Sequence, residues 1–297
     1  MSPAPNRRAL TPDVHVVTDS TASLPADLAE HWGIRSVALQ VVVDGVPFQE
    51  GVDLTTEDLT AALDRRAVLT TSQPSAHAFA EAYRQAAAAG ARHIVSVHLS
   101  GELSGTVHAA ALAARTSPVP VEVVDSRTVA MGLGFAVLAA ARTAAQGGSS
   151  AAVARAAMTT ATSSEAMFVV DSLDHLRRGG RLSAAAAAVG TALGLRPVLG
   201  VRGGRVEVVH KIRTRAAMSA RLVEAAAAAA GRGDDVRLAM HYLGDDAAVR
   251  ACAAQISEAT GREVLITPVS AVLGAHVGPG LLALITSEDV AHSPDAG

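Results

Sequence analysis

Two polar loops and one framed histidine are the parts of this chain whose residue types could do chemistry. Leu99-Ser100-Gly101-Glu102-Leu103-Ser104-Gly105-Thr106 follows a β-branched run, His93–Val97, and feeds an Ala/Leu-rich helical stretch. Serines and glycines at such a junction aim hydroxyls and backbone N–H groups at one spot. The positive end of the helix dipole adds to them, so the natural guest is an anion. A plainer expectation is that Ser104 only caps the helix. Thr71-Ser72-Gln73-Pro74-Ser75 is a second polar loop, also entering a helix. His276 sits in Gly274-Ala275-His276-Val277-Gly278-Pro279-Gly280, where three glycines and a proline fix a tight path between strands. Two chemistries suit these groups. One is a serine nucleophile with a histidine base, but no G-x-S-x-G elbow and no clear third carboxylate accompany it. The other is a cradle for a carboxylate, with no bond to break. A carboxylate with an apolar tail would also need a long hydrophobic pocket, which Ala/Val/Leu-rich helices can line.

Other chemistries find no support. The first strand runs into Thr18-Asp19-Ser20 without the glycines of a dinucleotide fingerprint, and no GxxxxGK[ST] loop occurs. His93 and His98, and His276 alone, make no cluster with carboxylates at helical spacing, so neither metal nor cofactor is expected. Cys252 is the single cysteine, which rules out an internal disulfide. The chain has 297 residues, 49% hydrophobic and 18% charged, enough for one large or two ordinary domains. A formal net charge of -3 gives no global pull toward nucleic acid and leaves at most transient membrane contact. The poly-alanine runs are too weakly apolar to span a bilayer, and Met1–Pro12 lacks the apolar core of a signal peptide. The expected location is therefore cytoplasmic.

The elements that must position these groups alternate. Val14–Val17, Val37–Val43, His93–Val97 and Val121–Val124 read as strands. Helices are expected over Leu24–Trp32, from Thr56, over Ala76–Ala89, after Thr106 and over Val129–Ala145. Such alternation means a parallel, Rossmann-like sheet covered on both faces, with ligands at the carboxyl ends of its strands. From Met167 the rhythm changes. A short helix spans Asp171–Arg178, an Ala-rich helix Ser183–Leu195, and Arg202-Gly203-Gly204-Arg205 turns a hairpin. Helix 215–230, strand 236–242, helix 246–260, strand 263–269 and strand Leu281–Thr286 complete a mixed sheet with helices. The expected fold is thus two α/β domains, residues 1–163 with 1–12 as a loose arm, and 164–297 with 288–297 as a loose tail.

Seven short motifs carry a resemblance. They are Val17-Thr18-Asp19-Ser20-Thr21 with Leu24-Pro25, Thr71–Ser75, Leu103-Ser104-Gly105-Thr106, Val124-Asp125-Ser126, Leu176-Arg177-Arg178-Gly179-Gly180-Arg181-Leu182, Lys211-Ile212-Arg213-Thr214 and Gly274–Gly280. In this order, from about Val14 to Ile285, the chain resembles the DegV family of bacterial fatty-acid-binding proteins. The resemblance implies a long-chain fatty acid enclosed between two α/β domains. It also implies a non-catalytic role, as the acyl-binding subunit that presents the carboxylate to a separate ATP-binding fatty-acid kinase subunit. Carried over, Thr71 with Ser72, a serine of the 100–104 loop with Gly105, and His276 with Gly278 would hold the carboxylate. Gly101 stands where the family often has a second serine, so Ser100 and Ser104 both remain open as the holder.

Between Arg177 and Arg215 the basic residues crowd, and Glu207 is the only acid. Arg202, Arg205, Arg213 and Lys211, the chain's sole lysine, are candidates for docking an acidic patch of that partner. Two other functions compete with the kinase-subunit reading: a lipid sensor without a kinase partner, and a small serine hydrolase using Ser104 and His276.

Overall fold

The computed structural model describes residues 12–182, 196–212 and 214–289. The expected helix at 183–195, Arg213, and nearly all of the expected arm and tail lie outside these residues.

The β-branched runs of the first half form a parallel sheet. Its strands are β1 (Val14–Asp19), β2 (Arg35–Val37), β6 (His93–His98) and β7 (Val121–Asp125), in the order β2-β1-β6-β7. One face is covered by α3 (Ala76–Ala88) and α4 (Thr106–Ala114), where Phe79, Tyr83, Ile94 and Ala110 pack fully buried. The other face meets α5 (Met131–Ala145) and α6 (Ser150–Ser163).

A second, six-stranded sheet follows Ser164. It contains β8 (Glu165–Val169), β9 (Arg196–Arg202), β10 (Arg205–Ile212), β11 (Val236–Tyr242), β12 (Val264–Pro268) and β13 (Leu282–Glu288), in the order β10-β9-β8-β13-β11-β12. Only β11 and β12 pair in parallel. Helices α8 (Arg215–Ala230) and α9 (Ala247–Thr260) cover its outer face, where Leu222 and Ile256 share a core with Met240 of β11. Its inner face, through Ala239 and Ile285, joins the same core as α5 and α6. The α5–α6 pair is thus a layer shared by both sheets. That explains why α5 is built of Ala, Gly and other apolar residues on every side rather than along one stripe. The hairpin at Arg202–Arg205 forms as the sequence predicts. Gly203 and Gly204 take φ of 55° and 85°, the pair of positive angles that a tight two-residue turn demands.

A third sheet was not read from the sequence, and it takes most of the expected Val37–Val43 strand, which splits between Val37 in β2 and Gln40–Val43. β3 (Gln40–Val43), β4 (Val46–Gln49) and β5 (Leu69–Ser72) form an antiparallel meander, β4-β3-β5. Thr71 and Ser72 therefore belong to a strand, not a loop, with Val41 opposite Thr71 and Gln40 opposite Ser72. Helix α2 (Thr56–Asp64) links the meander and starts with a reciprocal capping box between Thr55 and Asp58. Leu39, Val41 and Leu59 pack with Phe168, Leu176, Val272 and Leu281 of the second half, so one core joins the meander to the larger mixed sheet.

Histidine 276 is likewise not in a loop. Helix α10 (Ala271–Val277), capped by Ser270, runs through it and ends at Gly278, whose φ is 73°. Gly274 inside this helix has a packing reason. A methyl group there would come within 2.6 Å of Leu59 Cδ2.

Candidate functional site

The meander, α10, α7 (Asp174–Arg178) and the β6–α4 loop enclose a cavity of about 340 Å³ against the inner face of the mixed sheet. Most of its wall is apolar, drawn from Leu39, Leu99, Phe168, Val206, Val272 and Ile285 among others. One corner is polar. Thr71, Ser72 and Gln73 reach it from β5, Ser104 and Gly105 from the start of α4, Arg181 from beyond α7, and His276 from α10.

Several bonds fix that corner. The Thr71 hydroxyl lies 2.7 Å from His276 Nε2, joining β5 to α10. The Ser104 and Thr106 hydroxyls are 2.8 Å apart. Arg181 donates from Nε to the Leu103 carbonyl at 3.1 Å and from Nη1 to the Gly179 carbonyl at 2.6 Å. These two bonds hold its guanidinium at the corner. Gln73 lies over Gly105, where any Cβ would collide with its side-chain amide. Gly179 does the same service for His276, because a Cβ there would strike Nδ1. Burial first, then the neighbouring Arg181 and His175 charges, lower His276 to a pKa of about 4. The free imidazole is therefore neutral near pH 7, and Arg181 is the only arginine or lysine on the cavity wall among the described residues.

The sequence-predicted residues divide. Thr71, Ser72, Ser104, Gly105 and His276 come together at the corner. Ser100 is fully buried elsewhere, donating its hydroxyl to the Gly204 carbonyl at 2.8 Å and accepting from Glu102 N–H. Gly278 lies just past α10, packed on the His175 ring. Ser104 does not cap α4; Gly105 occupies that position without a side-chain bond. Arg205 pairs with Glu102 at 2.6 Å, and Arg127 donates to the Gly203 carbonyl, so the hairpin tip is fastened to the first half of the chain. Gln73 and Arg181 were missed as site residues. Both stand inside quoted motifs, and Arg181 behind two glycines was a visible cation close to a turn.

A second histidine, His241, lines the cavity wall away from that corner. Its Nε2 accepts the Met131 N–H at 3.0 Å and its Nδ1 donates to the Thr267 carbonyl at 3.1 Å. Complete burial lowers it to a pKa of about 4. Asp19, His98 and Ser96 form a chain of hydrogen bonds of the kind that serves hydrolases. All three have no exposed surface, none lines the cavity, and Ser96 accepts from the Tyr83 hydroxyl. Asp19 also accepts Leu99 N–H at 3.0 Å, so this chain of bonds fixes the root of the β6–α4 loop. Among the described residues no cluster of three His, Cys, Asp or Glu could hold a metal, and no helix is long and apolar enough to cross a membrane.

Parallel and mixed sheets around a shared helical layer frame an apolar cavity that ends in hydroxyls, an imidazole and a guanidinium. The DegV family model matches residues 13–289, and the chain belongs to the DegV family. A DegV domain-containing protein of Streptomyces coelicolor is 47% identical over 276 residues, covering 92% of this chain and 98% of that one. A Thermus thermophilus structure, described as fatty-acid binding by a DegV family protein, matches with TM-score 0.86 and 35% identity, over 93% of this chain and 99% of that one. The Bacillus subtilis DegV structure, described as a fatty-acid-binding protein, matches with TM-score 0.87 and 29% identity, over 94% and 100%.

Proposed function

We propose that this chain binds a long-chain fatty acid in the 340 Å³ cavity and presents the carboxylate to a separate kinase subunit. The observation that carries the reading is the polar corner on a mostly apolar wall, with one fixed cation, Arg181, beside neutral hydrogen-bond donors. Apolar contacts hold the acyl chain, and a few placed polar groups fix its direction. Two relatives with known structures, the Thermus and Bacillus proteins, are described as binding fatty acids and support the same ligand here.

At the corner, Thr71 donates its hydroxyl proton to the carboxylate. His276 must then carry its proton on Nε2 and donate it to the Thr71 oxygen, which leaves Nδ1 bare beside Gly179. Ser104 is the serine that contributes, since the Ser100 hydroxyl is committed to Gly204. Arg181 supplies the counter-charge. Ser72, Gly105 and Gly278 shape the corner. Presentation means that a carboxylate oxygen attacks the terminal phosphorus of a nucleoside triphosphate held by the partner. The bond to the nucleoside diphosphate breaks, and acyl phosphate forms.

The hydrolase alternative lacks its first requirement. The Ser104 hydroxyl bonds Thr106, while His276 bonds Thr71, so the serine of that reading does not meet its histidine base. Arg202, Arg205, Lys211 and Arg213 remain the proposed docking face, with the charge of Arg205 already answered by Glu102. A cytoplasmic location suits a kinase partner that uses ATP.

The test is extraction and native mass spectrometry of the purified chain, followed by titration with palmitate and oleate. One bound fatty acid per chain is expected. A lipid-free protein that binds neither would overturn the reading, and acyl phosphate made only when a kinase subunit is added separates presentation from mere sensing.

A further inference from the structure

Thr71, Arg181 and His276 also face outward. They line a second hollow, about 370 Å³, which shares these three residues with the apolar cavity. Its outer wall is basic. Arg66 stands on one side, His175 and Arg178 on the other, and no acidic residue lines it among those described. Among the described residues neither Arg66 nor Arg178 has a carboxylate partner, whereas Arg65 next door pairs with Asp44.

Two features make this hollow more than a crowd of surface arginines. Arg66 is a non-glycine residue in the left-handed region, with φ of 59°, at the end of α2. Glycine is the favoured residue at such a helix end, so the arginine is held in an unfavourable backbone state. Strain of that kind concentrates at functional positions. The remaining wall is β5, an edge strand of the meander. Asp44 N–H bonds the Val68 carbonyl, and antiparallel bonding alternates from there along the register. Leu69 and Thr71 therefore turn their N–H groups away from β3, toward the hollow. One fixed cation, Arg181, two exposed arginines and outward backbone N–H groups together suit a tetrahedral oxyanion.

Resting on the fatty-acid reading above, the geometry points to this hollow as a phosphoryl subsite. It takes the phosphate of a bound acyl phosphate while the acyl chain stays in the apolar cavity. Thr71 and His276 sit at the junction, where the carbonyl of the mixed anhydride would lie. Arg66 and Arg178 touch only the phosphate.

The test uses the delipidated full chain, titrated with palmitate and with 2-oxoheptadecylphosphonate, a stable analogue in which a methylene replaces the bridging oxygen. Arg66→Gly and Arg178→Ala should each weaken phosphonate binding about tenfold, the scale of one charge-assisted contact. Palmitate affinity should stay unchanged in both. Arg66→Gly should unfold at the same or a higher temperature, because it relieves the backbone. Inorganic phosphate added to the palmitate-loaded protein distinguishes a general phosphate site from one that needs the acyl link: competition with the phosphonate supports the subsite with free phosphate as a second guest, and no competition supports it for the acyl-linked group alone. Unchanged phosphonate affinity in both variants, or equal losses for palmitate and phosphonate, would overturn the subsite. A parent that binds the phosphonate but not palmitate would overturn the fatty-acid reading and keep the hollow as an anion site. A parent that binds neither would overturn both.

Discussion

The Thr71 hydroxyl and His276 Nε2 meet at 2.7 Å although 205 positions separate them in the chain. One comes from a four-residue edge strand and the other from a seven-residue helix. Neither element has much stability of its own, so the contact depends on the shared core of Leu39, Leu59 and Val272 beneath it. Each residue of the pair lines both the apolar cavity and the basic hollow.

Removing the Thr71 hydroxyl should therefore cost binding more than folding. Thr71→Val keeps shape and strand preference but deletes one bond to a charged group, worth about 2 kcal/mol, or roughly thirtyfold in Kd for palmitate. Isothermal titration against the parent checks this, with the thermal midpoint as control. Equal affinity would mean that the carboxylate lies elsewhere.

The two serines should behave in opposite ways. Ser104→Ala should weaken palmitate binding with little effect on the unfolding midpoint. Ser100→Ala strands the buried Gly204 carbonyl, so it should cost about 1–3 kcal/mol of stability. Its palmitate affinity should be nearly that of the parent. Chemical denaturation and titration of both variants decide the assignment, and a binding loss confined to Ser100→Ala would reverse it.

Much of this architecture can be read from the residue order. Strand and helix periods gave the parallel sheet, the 202–205 hairpin and the 215–230 helix, because long periodic segments carry strong signals. The meander escaped because Leu-Thr-Thr-Ser is short and polar. It becomes a strand only through pairing with the Val41–Val43 segment, a tertiary effect. Helix α10 escaped because Gly274 and Gly278 look like loop punctuation. One of them is small to admit Leu59 and the other ends the helix. The choice between Ser100 and Ser104 was open for a related reason. What commits the Ser100 hydroxyl is the hairpin more than a hundred residues downstream, and no local pattern encodes that contact. Arg181 was legible as a charge but not as a wall residue, since its direction depends on carbonyls at Leu103 and Gly179.

Gly179 gives a steric test of the His276 placement. Gly179→Ala would put a methyl group onto Nδ1 and push the ring away from Thr71. Palmitate affinity should fall at least as far as in Thr71→Val, although no polar group has been removed. A fully retained affinity would show that the ring position is unimportant.

The last prediction is an acid transition with a defined sign. His276 and His241 titrate at about 4 in the folded chain, both chiefly through burial, against 6.5 for a solvated histidine. Between those values the unfolded chain binds protons that the folded chain refuses. Folded stability therefore falls as pH drops from 6.5 to about 4, and the histidine contribution levels off below that. Each residue accounts for roughly 3 kcal/mol across the window as an upper figure. His15, His175 and His210 are lowered in the same sense, mainly by burial, and add to the slope. Glu50 works against it. Burial raises its carboxyl above 4.5, so its share of stability is lost as pH rises through the lower part of the window. Urea unfolding of the ligand-free chain from pH 7.5 to 4 should show a net decline beginning near 6.5. In His241→Gln the amide oxygen can still accept the Met131 N–H without titrating, and the decline should be shallower by about one proton. A stability profile flat from pH 6.5 to 4, or a His241→Gln profile parallel to the parent, would mean that these histidines are not held neutral by the fold.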